Sequence, residues 1–292
     1  MAERFWAQDP TLWSSDEAVI RDIRERLGWL RVTESMREDC SFLRSFAAEV
    51  RHAGFTHALL LGMGGSSLCT LVLRETFGVS PRFLDLAVLD STDPAAIRSA
   101  ESRSPLERTL FLVATKSGTT TETLSFFRYF FEKLREKKGR RAGEQFVAIT
   151  DPGSPLVSLA GELRFRRSFL NPPDIGGRYS ALSYFGLLPA ELMGIDARVL
   201  LERAAQLMPQ HGAPTEPEQD AAVSLGATLA ELGSQGRDKV TFFLSPQIAA
   251  FGCWAEQLVA ESTGKEGQGL LPVDGEPLGK VGVYGRDRVF VH

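Results

Sequence analysis

The amino-acid sequence predicts an α/β protein with a doubly wound parallel sheet, preceded by helices and followed by an incomplete second domain of the same type. The first observation is a set of short apolar runs, each as long as a buried parallel strand. They span residues 57–62, 84–90, 109–115 and 145–150. The second observation is that stretches of helical length separate these runs. They span residues 66–77, 94–102 and 121–138. Strands that alternate with helices in this way are typical of a parallel sheet with helices on both faces.

Two further helices are predicted before the first strand, over residues 16–27 and 35–52. In the second of them, Ser35 is followed three residues later by Glu38, which is the pattern of a capping box. A glycine follows each of these helices, as is common at helix ends.

A second unit is predicted to begin after a proline- and charge-rich stretch, residues 208–220, which is typical of a linker. A helix over 220–233, a strand over 239–244 and a helix over 248–261 follow. After a glycine-rich stretch, only one more strand, 288–291, is predicted, so we expect the second domain to be truncated. An unpaired strand at 239–244 would expose an apolar edge and favour pairing with another chain.

These boundaries divide the chain into four predicted segments. They are an N-terminal helical segment (1–54), a first sheet domain (55–207), a linker with a helix (208–235) and the start of a second sheet domain (236–292). Functional loops of a parallel α/β sheet lie at the carboxyl ends of its strands. The residues after each predicted strand are therefore expected to carry the chemistry.

The composition excludes several classes of function. The chain has 292 residues and a net charge of −4, so its bulk charge attracts neither nucleic acid nor an anionic membrane. A basic cluster over 133–141 is predicted to be a solvated helix end. The three cysteines are far apart and odd in number, which predicts reduced thiols in a cytoplasmic protein. The four histidines lack the spacing of metal ligands, and neither a signal peptide nor a membrane span is predicted.

The first candidate loop, GMGGSS at residues 62–67, follows the first predicted strand. Its glycines let the backbone approach an anion closely, and the N terminus of the next helix offers free N–H groups. One alternative is a tight turn that only packs helix on strand. Another is a dinucleotide loop with Asp90 as the ribose-binding acid, but Ser67 stands where that motif has its third glycine.

The second candidate loop, TKSGTTTET at residues 115–123, follows the third predicted strand and opens a helix. It has six hydroxyl side chains in nine residues, a dense set of donors for phosphate oxygens. The alternative is that the hydroxyls only cap the helix, which one or two of them would do. A nucleotide site needs no second loop of this kind, whereas a sugar monophosphate would use both loops.

Together, the GMGGSS and TKSGTTTET loops resemble the phosphate site of SIS (sugar isomerase) domains. Two further segments resemble the phosphoglucose isomerase family. NPPDIGGRYSALSYFGLLPA at 171–190 resembles its GGR[YF]S signature, and QLVAESTGKEGQG at 257–269 resembles the segment with its catalytic glutamate. The four segments follow the family's order, and the resemblance covers nearly the whole chain. The flanking DPTLW, LGWL and LDSTDPAAI most closely resemble the isomerase half of bacterial bifunctional transaldolase/phosphoglucose isomerases.

The resemblance implies a role for each matching residue. Arg178 matches the arginine that faces the developing enediolate oxygen, Gln257 the substrate-binding glutamine, and Glu261 the general base. These residues are expected to converge on the sugar end of the phosphate pocket. The residues that match phosphate-binding positions are Gly64, Gly65, Ser66, Thr115, Lys116, Ser117 and Thr120.

The implied reaction interconverts glucose 6-phosphate and fructose 6-phosphate through a cis-enediolate, without a metal or an organic cofactor. A carboxylate such as Glu261 abstracts a weakly acidic C–H proton and returns it to the neighbouring carbon. The enediolate charge requires a fixed cation, and the guanidinium of Arg178 is planar and permanently charged. The resemblance also implies a homodimer once the second domain is complete.

The sequence departs from the family's pattern after the glutamate segment. No residue matches the family's ring-opening histidine or its C-terminal lysine, and we assign neither role to His52, His57, His211 or His292. The chain of 292 residues is therefore expected to isomerise sugar phosphates weakly or not at all while still binding them.

Two alternative functions remain at this stage. One is a non-catalytic sugar-phosphate-binding module, which would retain the hydroxyl loops but would not need Glu261 or Arg178. The other is an NAD(P)-binding oxidoreductase, which Ser67 and the hydroxyl-rich second loop disfavour.

Overall fold

The computed structural model describes residues 2–208 and 220–292 and divides the chain into two compact units. The larger unit contains residues 25–205, and the smaller unit contains residues 1–24 together with 206–292. The larger unit continues across the predicted boundary at residue 54, and the division into four segments stays a prediction. Most of the predicted linker, including His211, lies outside the described residues. Within the described residues, every helix is too short or too polar to cross a membrane.

A parallel sheet of five strands forms the centre of the larger unit. Its strands are β1 (His57–Gly62), β2 (Asp85–Leu89), β3 (Thr109–Ala114), β4 (Phe146–Thr150) and β5 (Arg167–Leu170). Their order in the sheet is β2-β1-β3-β4-β5, and all neighbouring pairs are parallel. The first four strands confirm the predicted runs to within one residue at each end. β5 was not predicted, because only Phe169 of its four residues is buried and the strand lies at the sheet edge.

Helices cover both faces of this sheet. In chain order, the described α-helices are α1 (Ala2–Trp6), α2 (Glu17–Arg24), α3 (Val32–Ser35), α4 (Cys40–His52), α5 (Leu68–Phe77), α6 (Pro94–Arg103), α7 (Thr121–Lys138), α8 (Pro155–Glu162), α9 (Tyr184–Met193), α10 (Ala197–Ala205), α11 (Ala221–Ser234) and α12 (Phe251–Thr263). The larger unit uses α3 to α10. The predicted doubly wound α/β class is confirmed.

The strand β1 contributes to two separate hydrophobic cores. Ala58 and Leu60 pack with residues of α4, α5, α9 and α10 on one face of the sheet. Leu59 and Leu61 pack with residues of α6, α7 and α8 on the other face. Because both faces are covered, the strand is a continuous apolar run, and each fully buried leucine contributes about 1.5–3 kcal/mol to folding.

The two helices predicted before β1 are shorter than expected. The helix predicted over 16–27 ends at Arg24, because Leu27 instead forms an antiparallel bridge with Ile175. The predicted capping box at Ser35 is wrong. Ser35 closes the short helix α3, and its hydroxyl donates to the Val32 carbonyl at 3.4 Å. The next helix begins only at Cys40.

The smaller unit contains a parallel sheet of three strands. These are β6 (Lys239–Phe242), β7 (Leu271–Val273) and β8 (Arg288–Val291), in the order β7-β6-β8. The prediction that the strand at 239–244 exposes an apolar edge is wrong, because β6 is central and pairs on both sides. The pairing partner that the sequence did not reveal is β7, which has only three residues and contains Pro272.

Candidate active site

The two candidate phosphate loops leave the sheet at the same edge and side by side. The chain continues from β1 to β2 on one side of β1, whereas β3 lies on its other side. The carboxyl ends of β1 and β3 therefore flank the topological switch point, where ligands bind in open α/β sheets. Gly62 at the end of β1 is in register with Ala114 at the end of β3. A Cβ atom on Gly62 would lie 3.2 Å from the Ala114 carbonyl oxygen, so the bases of the two loops touch.

The glycine loop forms a 3-10 turn before α5. Its Ser66 and Ser67 N–H groups donate within the turn, to Met63 and Gly64 carbonyls at 3.1 and 2.9 Å. By contrast, the N–H groups of Gly64 and Gly65 donate to no backbone carbonyl of another turn or loop among the described residues. The amides that remain for an anion in this turn are therefore those of the two glycines that the sequence singled out.

The turn that carries Arg178 packs directly on the glycine loop. A Cβ atom on Gly65 would lie 2.8 Å from the Arg178 backbone nitrogen and closer still to the Gly177 carbonyl. The Ser180 hydroxyl donates to the Gly65 carbonyl at 3.3 Å. The structure thus brings the GMGGSS loop and the arginine of the GGRYS segment together, although they are more than 100 residues apart in the sequence.

The hydroxyl loop is organised by side-chain contacts within itself. The Thr115 and Thr120 hydroxyl oxygens lie 2.8 Å apart, as do those of Ser117 and Thr119. Thr120 occupies the N-cap position of α7, yet its side chain makes no capping bond. The hydroxyl that a capping role would require is directed to Thr115 instead. This observation weighs against the interpretation that the hydroxyls only cap the helix.

Lys116 connects this loop to the segment before Arg178. Its ammonium donates to the Pro173 carbonyl at 2.9 Å and forms an ion pair with the Asp151 carboxylate. Burial raises the pKa of Asp151, while the Lys116 ammonium opposes this change. The second carboxylate oxygen of Asp151 is buried without a hydrogen-bond partner among the described residues. The predicted phosphate-binding lysine is therefore held by protein groups in this structure.

Arg178 belongs to an aromatic stack. Its guanidinium lies 5.3 Å from the centre of the Tyr179 ring, and that ring stacks on Trp29 with centroids 5.1 Å apart. The Gly28 N–H donates to the Asp174 carbonyl at 3.0 Å beside this stack. The segment 27–31 thus supports the turn that presents the guanidinium.

Gln257 and Glu261 lie on α12, in the smaller unit. They are four residues apart and share one face of the helix, where the Gln257 amide donates to the Glu261 carboxylate at 3.0 Å. The Gln257 side-chain oxygen is buried without a partner among the described residues, whereas Glu261 is exposed. The glutamine can therefore orient the carboxylate.

Neither a metal cluster nor an activated thiol is evident in residues 2–208 and 220–292. No three His, Cys, Asp or Glu side chains among them are grouped so as to hold a metal ion. All three cysteines are unbridged, and burial raises the pKa of the Cys69 thiol, just after the glycine loop, to about 12. A thiol with that pKa is not a nucleophile at neutral pH.

Three residues of this region were not assigned a role from the sequence. Asp151 pairs with Lys116, and Trp29 and Tyr179 form the stack under Arg178. Asp151 had a positional signal, because it directly follows β4, which neighbours β3 in the sheet, whereas Trp29 and Tyr179 lie in the quoted LGWL and GGRYS motifs without an indication of their contact. The Trp29 contact depends on a long-range fold-back of residues 27–31 that no local pattern indicates.

Known proteins share both the sequence pattern and the fold. A glucose-6-phosphate isomerase from Carboxydothermus hydrogenoformans is 32% identical over 262 residues, which are 84% of this chain and 55% of the relative. One from Rubrobacter xylanophilus is 31% identical over 84% of this chain and 58% of the relative. The chain thus spans about half the length of the curated relatives it matches.

Solved structures agree with this comparison. A hypothetical protein from Thermus thermophilus superposes with a TM-score of 0.75 and 27% identity, over 93% of this chain and 63% of the other. A glucose-6-phosphate isomerase from Chlamydia trachomatis has the same fold, with a TM-score of 0.64 at 24% identity, over 91% of this chain and 50% of the other. The family model for phosphoglucose isomerase matches residues 15–269, a span that includes both loops, the Arg178 turn and Glu261. On this evidence the chain belongs to the phosphoglucose isomerase family.

Proposed function

We propose that this chain provides the residues that bind the sugar phosphate and the catalytic residues for the interconversion of glucose 6-phosphate and fructose 6-phosphate. The observation that carries the proposal is the packing of the Arg178 turn on the glycine loop at Gly65, beside the hydroxyl loop. This packing supports a site in which the Arg178 cation and the two loops rich in phosphate donors act together at the switch point of the sheet. A dinucleotide site would not require the hydroxyl loop.

The phosphate group is proposed to bind to the two loops. The hydroxyls of Ser66, Thr115, Ser117 and Thr120 and the amides of Gly64 and Gly65 would donate to its oxygens. The ion pair of Lys116 with Asp151 supports a positioning role for this lysine, with its charge still adding to the attraction of the anion.

The isomerisation itself is proposed to use Arg178 and Glu261. In the aldose-to-ketose direction, the Glu261 carboxylate takes the proton from C2 of the open-chain sugar, and the electron pair moves to form the enediolate. The Arg178 guanidinium stabilises the negative charge on the enediolate oxygen O1, and Glu261 returns the proton to C1 while the hydroxyl proton on O2 moves to O1. The hydrogen bond from Gln257 would keep one carboxylate oxygen oriented during both transfers.

The test combines binding and turnover on one preparation. We expect 6-phosphogluconate to bind in a calorimetric titration and NAD not to bind. A coupled assay with glucose 6-phosphate or fructose 6-phosphate then measures isomerisation. Binding with turnover that Glu261→Gln abolishes would support the proposal.

Other outcomes have distinct meanings. Binding of 6-phosphogluconate with weak turnover or none would agree with the expectation that no residue of this chain matches the ring-opening histidine, and it would equally fit a non-catalytic sugar-phosphate-binding module. Failure to bind any sugar phosphate would overturn the phosphate-site assignment. The cytoplasmic location inferred from the three unbridged cysteines is part of the proposal, and fractionation of cells that express the protein tests it.

A further inference from the structure

A cleft with a strong positive charge lies at the amino-terminal edge of the five-stranded sheet. Two adjoining cavities share Gly54 and Phe55, which directly precede β1. Their volumes are about 400 and 290 Å³, near the lower end of the range of small-molecule sites. We refer to the two cavities together as the basic cleft. Because all five strands are parallel, the basic cleft lies at the edge opposite the candidate active site, about 20 Å away along the strands.

Cationic side chains from two parts of the chain line the larger cavity. Lys137 and Lys138 end α7, Arg141 lies in the turn after it, and Arg166 directly precedes β5. The sequence predicted the basic cluster over 133–141 to be a solvated helix end and did not indicate that part of it lines a cavity. Arg166 is held in place, because its Nε donates to the Glu144 carbonyl at 2.8 Å and its guanidinium lies 5.1 Å from the Phe55 ring centre.

Among the described residues, no carboxylate lines the smaller cavity. Arg51 and His52 come from the end of α4, Arg82 from the loop before β2, and Arg108 from the residue before β3. Arg82 has a left-handed backbone with φ at 71°, which is unfavourable for a residue with a Cβ atom. Its side chain makes no hydrogen bond or ion pair with any other residue in the described ranges. Three separate elements thus direct guanidinium groups to one cavity.

The positive charges of the basic cleft exceed the negative charges of the carboxylates that line it. Seven Lys or Arg side chains and two glutamates line it, in a chain whose net charge is −4. One of these glutamates, Glu144, already accepts a bidentate bond from Arg141, at 3.0 and 3.1 Å, and this bond lowers the pKa of Glu144. Arg166 pairs with Glu49 at 3.1 Å. The other five cations of the cleft outnumber its one remaining carboxylate, so most of the positive charge is available to an external anion.

We propose that the basic cleft is a second anion site, which binds a small compound with two phosphate groups. Guanidinium groups bind phosphate oxygens in a bidentate manner, and each of the two adjoining cavities has enough cations to hold one phosphate. The limited volume favours a small compound over a polymer. This site is separate from the proposed sugar-phosphate site and does not depend on the proposed function.

Pyrophosphate is the probe for the test, in calorimetric titrations at low and physiological salt. The candidate active site is first weakened by Ser66→Ala with Thr120→Val, and we expect one pyrophosphate to bind to this variant still. Adding Arg51→Ala, Arg82→Ala and Arg108→Ala should weaken that binding by about tenfold or more, because several charge-assisted bonds are lost.

One control variant distinguishes a specific site from general electrostatic attraction, and a second cleft variant is held in reserve. Arg98→Ala, Arg103→Ala and Arg128→Ala remove the same number of positive charges from α6 and α7, outside the cleft, and should leave affinity within about twofold. If the three cleft substitutions disturb folding in circular dichroism, Arg82→Glu alone is the substitute, because that side chain is exposed.

The outcomes decide the proposal. Loss of pyrophosphate binding in the cleft variants only would support it. Equal weakening by the control substitutions, or loss of all binding in the Ser66→Ala, Thr120→Val variant, would overturn it. Tighter binding of a single-stranded oligonucleotide than of pyrophosphate would overturn the choice of a small ligand.

Discussion

Gly65 lies so close to Arg178 that a Cβ atom at position 65 would be 2.8 Å from the arginine's backbone nitrogen. Both residues are in turns, and the Ser180 hydroxyl, which donates to the Gly65 carbonyl, joins the two turns. The absence of a side chain at position 65 therefore determines how closely the Arg178 turn approaches the glycine loop. This relationship is the basis of the first prediction.

Gly65→Ala should move the Arg178 turn away from the loop, because the new methyl group meets backbone atoms that cannot rotate aside. We expect the free energy of unfolding to fall by about 1–3 kcal/mol and the affinity for 6-phosphogluconate to fall with it. Urea unfolding and calorimetry measure the two effects. Gly161→Ala is the matched control, because its Cβ would meet no atom within 4 Å and alanine favours the helix. An unchanged affinity in Gly65→Ala would contradict the assigned contact.

Thr120→Val should reduce the affinity for sugar phosphates by about tenfold, since a hydrogen bond to a charged group is lost. The free energy of unfolding should fall by no more than about 1–3 kcal/mol, because the Thr120 hydroxyl contacts that of Thr115 but makes no capping bond to α7. Thr121→Val, which changes the adjacent exposed threonine in the same way, should bind normally. Equal affinities for the two variants would remove Thr120 from the phosphate site.

Asp151→Asn distinguishes two roles for Lys116. If the lysine positions the loop through its contacts with Asp151 and Pro173, the substitution should weaken 6-phosphogluconate binding. If Lys116 instead contacts the phosphate directly, removal of its competing carboxylate should strengthen binding. We expect weakening, because the Pro173 contact connects the loop to the Arg178 segment. Calorimetry at two salt concentrations provides the measurement, and tighter binding would contradict the positioning role.

Much of the fold follows from local sequence pattern. The strands β1 to β4 are apolar runs because they are buried on both faces, and pattern alone located them within one residue. The edge strands β5 and β7 were missed because few of their residues are buried. The end of α2 was also missed, because the Leu27–Ile175 bridge joins residues that are far apart in sequence.

The sequence indicated which residues belong to the candidate site but not which contacts these residues make. Gly65, Thr120 and Arg178 were identified because their motifs resemble those of a known family. The ion pair of Lys116 with Asp151 and the stacking of Tyr179 on Trp29 were not, because such contacts depend on the register of neighbouring strands and on chain fold-back. The place of Asp151 after β4 put it near the loop after β3, but the local pattern did not show that Lys116 pairs with it.

Glu191 should make folding stability depend on pH. Its carboxylate is only 4% exposed, and burial raises its pKa above the ordinary 4.5, although the Ala197 N–H and Arg44 oppose this change. The folded state then holds the proton more tightly than the unfolded state does. The contribution of Glu191 to stability should therefore fall as pH rises from about 4.5 to the raised pKa, and stay level above it.

Glu191→Gln removes this titration and retains an oxygen that can accept from Ala197. Urea unfolding of both proteins between pH 4 and pH 7 measures the effect. As pH rises over this interval, the free energy of unfolding of the variant should increase relative to that of the parent. A difference that is constant with pH would show that the Glu191 carboxyl titrates normally in the folded protein.

Glu261→Gln is the most direct test of the proposed chemistry. Wherever the parent protein shows isomerase activity, the substitution should lower kcat by roughly 10²–10⁴-fold, which is the usual contribution of a positioned acid-base group. The affinity for 6-phosphogluconate should hardly change, because the proposed phosphate contacts belong to the two loops after β1 and β3. The matched control is Glu256→Gln, the same change at another exposed position of α12. It should retain full activity, since Glu261 is the carboxylate that accepts the orienting hydrogen bond from Gln257. Equal losses in the two variants would point to a general effect on α12, and near-normal turnover in Glu261→Gln would assign the proton transfer to another residue.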